Sequence, residues 1–185
     1  HSFQKKYEKI DVEVFQGTYE DVFLWMKRGV VDLGFLSVSS AKDVPIVPLY
    51  RDPLLCVLPK GIRKESVGEA IGIEEMKCHQ FVTQRDSTDA DIQNFLRENS
   101  LQVQSNYHVV DDLSTIALVE KGFGICLMPE LVMHDIPYEV DCCPTEPRAS
   151  RIIGLAVMNP DFMAPAVRMM YNHIIGQYQE EEFKK

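Results

Sequence analysis

The stretch Ile10–Leu36, IDVEVFQGTYEDVFLWMKRGVVDLGFL, contains three successive patterns that together indicate the fold class. Hydrophobic and acidic residues alternate over 10–14, which predicts a β-strand. Thr18 is then a good N-cap for a helix that Gly29 ends. One face of that helix carries the apolar residues Tyr19, Val22, Phe23 and Met26. The mostly apolar stretch Val31–Leu36 is typical of a buried strand, so the whole segment predicts a right-handed βαβ unit.

The same alternation of strands and helices continues along the rest of the chain. Apolar runs predict strands over 44–50, 53–59, 80–83, 103–110, 124–129 and 151–158. Helical spacing predicts helices over 88–98, from Asp111 to Gly122, and from Asn159 onward. Strands that alternate with helices are typical of α/β proteins with parallel sheets. We therefore expect two Rossmann-like lobes with mainly parallel sheets, joined by two crossover segments: lobe I over 1–58 and 159–185, and lobe II over 59–158.

Composition excludes several classes of protein. The chain has 185 residues and a formal net charge of −9, which disfavours direct binding to nucleic acid phosphates. Its apolar residues recur along the whole length, unlike those of a disordered chain. The sequence shows neither a signal peptide nor an apolar run long enough for a membrane span. Five cysteines, an odd number, indicate reduced thiols and a cytoplasmic location. Cys142 and Cys143 could form a reactive vicinal pair, but two small hydrophobic residues on a strand is the favoured interpretation.

Motifs of common catalytic sites are absent from the sequence. It contains no Gly-x-Ser-x-Gly nucleophile elbow and no phosphate-binding P-loop. The histidines have no metal-ligand spacing, and His173 falls on the apolar stripe of the last helix. Asp111 and Asp112 could act as an acid and base, but capping of a helix is the favoured interpretation. We therefore expect neither catalysis nor a cofactor or metal.

Polar residues follow several predicted strands, at the point where each strand gives way to a helix. In open α/β sheets, ligands bind at the carboxyl ends of the strands, where helix N-termini also present free N–H groups. This placement predicts a ligand-binding protein. The residues concerned are Thr18, Ser37, Asp112, Ser114 and those from Thr83 to Thr88.

Four motifs, in this order, resemble the effector-binding domain of LysR-type transcriptional regulators. The segment Phe3–Val12 is similar to the family's opening motif, with Glu8 where the family has proline. The segments Arg28–Phe35 and Pro48–Lys60 are similar to the next two motifs. The most specific match is Gly122–Pro129, GFGICLMP, which is similar to the family's "G.GI.lLP". In their order and spacing, these motifs cover nearly the whole chain.

The resemblance implies a type 2 periplasmic-binding-protein fold and a bacterial, cytoplasmic regulator that forms homodimers or tetramers. It implies a small-molecule effector, bound between the two lobes, that modulates DNA binding and transcription by the full-length protein. The family's N-terminal winged helix, through which such proteins bind DNA, and the first strand of lobe I are missing from this sequence. The effector-binding positions that it implies are Thr18, Ser37 and Thr83, with Gln84, Arg85 and Ser87 as further candidates.

Several alternatives remain open at this stage. Thr18 and Ser87 could serve only as helix caps, and Arg85 could either hold an anionic effector or point into solvent. An extracytoplasmic solute-binding protein of the same fold is the alternative function, although five cysteines disfavour it. An enzyme on this fold would depend on Asp111, Asp112 or His108.

Overall fold

The structure, a computed structural model, describes residues 1–41, 43–63, 69–84, 90–103, 107–109 and 111–182. The described helices and strands alternate one for one over residues 71–129. The helices are α1 (Ser2–Lys6), α2 (Tyr19–Lys27), α3 (Ile73–Met76), α4 (Ala90–Glu98), α5 (Asp112–Glu120) and α6 (Pro165–Glu182). The strands are β1 (Gly34–Ser37), β2 (Ile46–Pro59), β3 (Ile71–Gly72), β4 (Val82–Gln84), β5 (Tyr107–Val109), β6 (Cys126–Pro129), β7 (Val140–Glu146) and β8 (Ser150–Ala156).

The chain forms two compact units, one of residues 1–50 and 152–185 and the other of residues 51–151. It passes from one unit to the other twice, once within β2 and once within β8. The sequence-based lobe boundaries at 58/59 and 158/159 lie further along, at the end of β2 and just beyond β8.

In the first unit, β1 pairs antiparallel with β8, and Leu36 lies opposite Gly154. Helix α2 packs on β1 at Gly34, where an added Cβ would lie 2.5 Å from the sulfur of Met26. Glycine is therefore needed for this close approach of helix and strand. One buried apolar cluster of the unit consists of Met26, Leu36, Val44 and Ala156.

In the second unit, β2 lies between β6 and β7 and is antiparallel to both. Strand β3 adds parallel to β7, and β4 pairs parallel with β5. Two apolar clusters hold these strands to the helices. One includes Cys56, Ile71, Phe95 and Ile125, and the other includes Val57, Val82, Ile116 and Met128.

The α/β fold class is confirmed, but the expectation of mainly parallel sheets is wrong for the described strands. The long strands β2, β7 and β8 have antiparallel neighbours, whereas the parallel pairs β3–β7 and β4–β5 extend over only two and three residues. The two strands predicted over 44–50 and 53–59 form the single strand β2, which contains Pro48 and Pro53. Proline removes only one backbone donor, so a strand continues where that donor is not needed for pairing.

The predicted strand over 10–14 is also wrong, because these residues form no regular secondary structure. Val14 is 90% exposed, so the apolar side of the alternation is not buried. A period-2 pattern gives a strand only where a neighbouring strand takes up the backbone hydrogen bonds.

Turn and cap predictions are confirmed at both ends of two helices. Thr18 caps α2 and Asp111 caps α5, each through its side-chain oxygen. Gly29 and Gly122, which follow these helices, have φ angles of +70° and +80°. Glycine is favoured there because a Cβ is strained in this left-handed conformation.

The GFG motif places a second glycine where two chain segments come close together. Gly124 has a φ of +149°, and an added Cβ would lie 2.4 Å from the carbonyl oxygen of Gln80. The N–H of Ile125 donates to that same oxygen at 2.8 Å, and Val82 N–H donates to Ile125 O at 2.9 Å. Gly124 therefore allows β6 to meet the segment that leads into β4.

Candidate functional site

Thr18 lies at the N-terminus of α2, and its hydroxyl is used within a capping box. Its Oγ1 donates to Asp21 Oδ2 at 2.7 Å and accepts from Asp21 N–H at 3.2 Å. The Thr18 N–H donates to the same carboxylate at 3.0 Å. The two hydrogen bonds from Thr18 lower the pKa of the Asp21 carboxyl below its ordinary value. Capping therefore accounts for Thr18 in this structure, and a ligand would have to share this hydroxyl.

Ser37 is the last residue of β1 and is completely buried. Its Oγ lies 3.0 Å from the Oγ of Ser39, which is exposed, so a buried and an exposed hydroxyl form a pair. The chain turns there in a short 3-10 segment, Val38–Ser40.

Thr83 and Gln84 lie at the carboxyl end of β4 in the second unit. Thr83 is half-buried and lies opposite His108, while Gln84 lies opposite Val109 in the parallel pairing with β5. Arg85 and Ser87 lie outside the described residues. Thr83 therefore stands at the end of a parallel strand pair, where α/β proteins bind ligands.

The candidate residues thus fall into two groups. Thr18 and Ser37 belong to the first unit, on either side of α2 and β1, whereas Thr83 and Gln84 are consecutive in the second unit. All four stand where a strand or helix of the unit begins or ends, as the sequence reasoning expected.

Burial makes three of the cysteines, Cys56, Cys126 and Cys142, weak nucleophiles, whereas Cys78 is exposed. All five are free, and burial raises the pKa of the Cys56, Cys126 and Cys142 thiols above the ordinary value. Cys143 packs in the apolar core, where Arg63 Nη1 donates to its sulfur at 3.2 Å. Cys142 and Cys143 lie on β7, which confirms their interpretation as small hydrophobic residues on a strand.

Two other candidates for chemistry, Asp111 and His173, have structural partners, while the side chain of His108 lies outside the described part of the chain. Asp111 Oδ1 accepts from Ser114 N–H at 2.8 Å, which lowers the pKa of this carboxyl below its ordinary value. His173 Nε2 lies 2.9 Å from Ser2 Oγ, and its ring contacts Phe3 edge-on. Within the described part of the chain, no group of three or more His, Cys, Asp or Glu residues could hold a metal ion.

Comparison with known structures shows the fold. The effector binding domain of QuiR in complex with shikimate has a TM-score of 0.81 and 20% identity, over 97% of this chain and 88% of that one. The regulatory domain of Synechocystis PCC6803 CcmR in complex with 2-PG has a TM-score of 0.83 and 14% identity, over 96% of this chain and 88% of that one. The chain thus has the fold of these domains, which is of the type 2 periplasmic-binding-protein kind.

Comparison with protein families gives the identification. The family model for the LysR substrate binding domain matches residues 1–179, so this chain belongs to that family. A probable HTH-type transcriptional regulator of Synechococcus elongatus, LrrA, is 20% identical over 167 residues, which are 89% of this chain and 56% of that protein. The chain therefore spans about half the length of the curated relatives that it matches.

Among the described helices, none has the length and apolar character needed to cross a bilayer.

Proposed function

We propose that this chain is the ligand-sensing part of a LysR-type transcriptional regulator. A small-molecule effector binds to it and modulates DNA binding and transcription by the full-length protein. The observation that carries the proposal is the family match over residues 1–179. The fold shared with two domains whose structures contain shikimate and 2-PG supports it.

We propose further that the ends of β1 and β4 supply the effector contacts. Ser37 and Thr83 are the principal residues, since both have hydroxyls at the carboxyl end of a strand. Thr18 adds its capping hydroxyl, and the segment after β4 adds Gln84, Arg85 and Ser87. An anionic effector would suit these hydroxyl donors and the Arg85 guanidinium.

The remaining proposals concern the whole regulator. The domain binds its effector without converting it, because the relatives are transcriptional regulators and the described Asp111 and His173 have structural partners. The protein works in the cytoplasm, where a regulator meets its DNA, and it assembles into homodimers or tetramers. Contact with DNA is made outside residues 1–179, through the winged helix of the full-length protein.

The test of this function is a ligand screen followed by substitution of Thr83. Thermal unfolding of the wild-type domain is measured against a metabolite library that includes shikimate and 2-PG, and the compounds that raise the melting temperature are taken to calorimetry. Thr83→Ala should weaken binding about threefold to tenfold, the contribution of one hydrogen bond. Thr83→Ser, which keeps the hydroxyl, should bind as the wild type does.

Two results would contradict the proposal. If no compound in the library stabilised the wild-type domain, the proposal that this domain binds an effector would be contradicted. If the wild type and Thr83→Ala bound an effector with equal affinity, the effector-binding proposal would stand. The assignment of Thr83 to the binding site would be wrong. Unfolding curves of both variants without ligand show whether a lost affinity merely reflects a lost fold.

A further inference from the structure

The outer surface of α2 combines an exposed leucine with four charged side chains. Leu24 lies midway along the helix, and the charged residues Glu20, Asp21, Lys27 and Arg28 stand on either side of it. All of these residues are exposed. Successive helical residues are rotated by about 100°, so these positions share an arc of roughly 120° with Leu24 at its centre. We call these residues the α2 face.

The charged groups of the α2 face remain available for a partner. Over the residues that the structure describes, Glu20, Lys27 and Arg28 form no ion pair. The hydrogen bonds from Thr18 reach only Oδ2 of Asp21, on the exposed side of the helix. Two acidic and two basic side chains make this face neutral, whereas the chain carries a net charge of −9. Two copies of an acidic chain can therefore approach each other at this face without net repulsion.

The local stability of α2 explains only part of this arrangement. Acidic residues in the first turn and basic residues in the last turn complement the helix macrodipole, so the signs of the charges have a local explanation. A single exposed leucine is also ordinary. Here, however, Leu24 is followed by the half-buried Trp25, whose ring lies 6.0 Å from that of the exposed Phe15, next to the exposed Val14. A group of exposed apolar side chains favours association.

We propose that two copies of this chain associate through antiparallel contact of their α2 faces. This inference rests on the proposed self-association of the regulator and assigns a surface to it. In such a pair, Glu20 of each copy lies opposite Lys27 of the other, and Asp21 lies opposite Arg28. The two Leu24 side chains meet at the centre. A two-fold axis through this centre forms each contact twice, as in the isologous interfaces of most homodimers.

The spacing of the charges fits the antiparallel arrangement. Glu20 and Arg28 are each four residues from Leu24, and Asp21 and Lys27 are each three residues from it. At 1.5 Å per residue, the opposite charges of the two copies therefore come to positions that differ by only about 1.5 Å along the helix axis. Parallel pairing would instead bring like charges together, which is unfavourable.

Charge reversal tests this pairing directly, because one reversal places like charges opposite each other in a homodimer. Glu20→Lys and Lys27→Glu should each weaken self-association of the chain about tenfold or more in sedimentation equilibrium. An equimolar mixture of the two variants restores opposite charges in both symmetry-related pairs, so association should return to the wild-type strength. Asp43→Lys, which changes the net charge as Glu20→Lys does at another exposed site of the same unit, should leave association unchanged.

The fluorescence of Trp25 gives a second, local measurement. Trp25 is the only tryptophan of the chain and follows Leu24 at the edge of the α2 face. Dilution of the wild-type chain until it dissociates should shift its emission to longer wavelength, because water then reaches this surface. Emission that stays constant while the sedimenting mass falls would place the interface elsewhere and overturn the inference.

The sedimentation results separate this inference from the proposed function. Weaker association of each single variant, with recovery in the mixture, supports the α2 contact. Single variants that associate as strongly as the wild type overturn it and leave the proposed homodimer or tetramer to another surface. Weakening without recovery also overturns it, since it indicates altered folding and not lost pairing. A wild-type chain that stays monomeric at every concentration overturns both this contact and the proposed self-association, whereas effector binding is still decided by the ligand screen.

Discussion

At the scale of single residues, a buried ion pair is the contact most sensitive to substitution. Asp52 is completely buried, and its Oδ2 accepts from Arg151 Nε at 2.9 Å while its Oδ1 accepts from Leu131 N–H at 3.0 Å. Asp52→Asn keeps an acceptor for Leu131 but removes the charge that compensates the poorly exposed guanidinium. We expect the free energy of unfolding to fall by about 3 kcal/mol in urea denaturation, because breaking a buried pair leaves a charge without its counter-ion.

The control for this substitution is the exposed ion pair between Lys60 and Glu139, which are joined at 2.8 Å. Glu139→Gln should leave the urea midpoint unchanged, since water screens exposed pairs. If Asp52→Asn proves as stable as Glu139→Gln, the buried pair does not stabilise the second unit.

At the scale of elements, the cap of α5 gives the stability a dependence on pH. The hydrogen bonds from Ser114 lower the pKa of the Asp111 carboxyl in the folded chain. This carboxylate therefore stabilises the fold at pH values above its ordinary pKa, and the contribution is lost as the pH falls through the lowered, folded-state pKa. Asp111→Ala should reduce the free energy of unfolding by about 1 kcal/mol at pH 7, the usual cost of losing an N-cap.

The same variant tests the sign of this dependence. The stability difference between the wild type and Asp111→Ala should shrink as the pH is lowered below the ordinary carboxyl pKa of 3.8, measured by urea denaturation at each pH. Asp32→Ala, which removes an exposed carboxylate, serves as the control and should show no such change. If this stability difference stayed constant from pH 7 to acidic pH, Asp111 would stabilise α5 without the charge of its carboxylate.

At the scale of the whole molecule, membership of the LysR family predicts self-association. Several large apolar side chains are exposed on this chain, among them Val14 at 90% and Phe162 at 84%. Exposed apolar groups of this kind favour association when they are contiguous. We expect sedimentation velocity to show a mass above 21.2 kDa that rises with protein concentration. A single species of monomer mass at every concentration would contradict the proposed homodimer or tetramer.

The predictions that held are those in which neighbours in the sequence complete the interaction. Thr18, the predicted N-cap of α2, forms a capping box with Asp21 three residues on, and Asp111 caps α5 by accepting from the N–H of Ser114. The left-handed φ of Gly122 was likewise predictable, because the helix before it has to end. Ser37 and Thr83 were placed correctly at strand ends by the same local reasoning.

The predictions that failed depend on partners far along the chain. The alternation over 10–14 has a strand period but lacks a strand partner, and strand direction within a sheet is not encoded in the pattern of one strand. The role of Gly124 follows from the carbonyl of Gln80, a long-range neighbour that the sequence does not indicate. The burial of the Ser40 hydroxyl oxygen is of the same kind, since it is a property of the surrounding chain.

The sequence by itself determined the α/β class, the helix caps, the terminating glycines and the family, because each of these depends on short-range chemistry or on the order of motifs. Only the tertiary structure decided the antiparallel pairing of β2 with β6 and β7 and the burial of Asp52 with Arg151. The physical reason is that pairing, burial and loss of water arise when distant segments pack together, and each then depends on all of its neighbours at once.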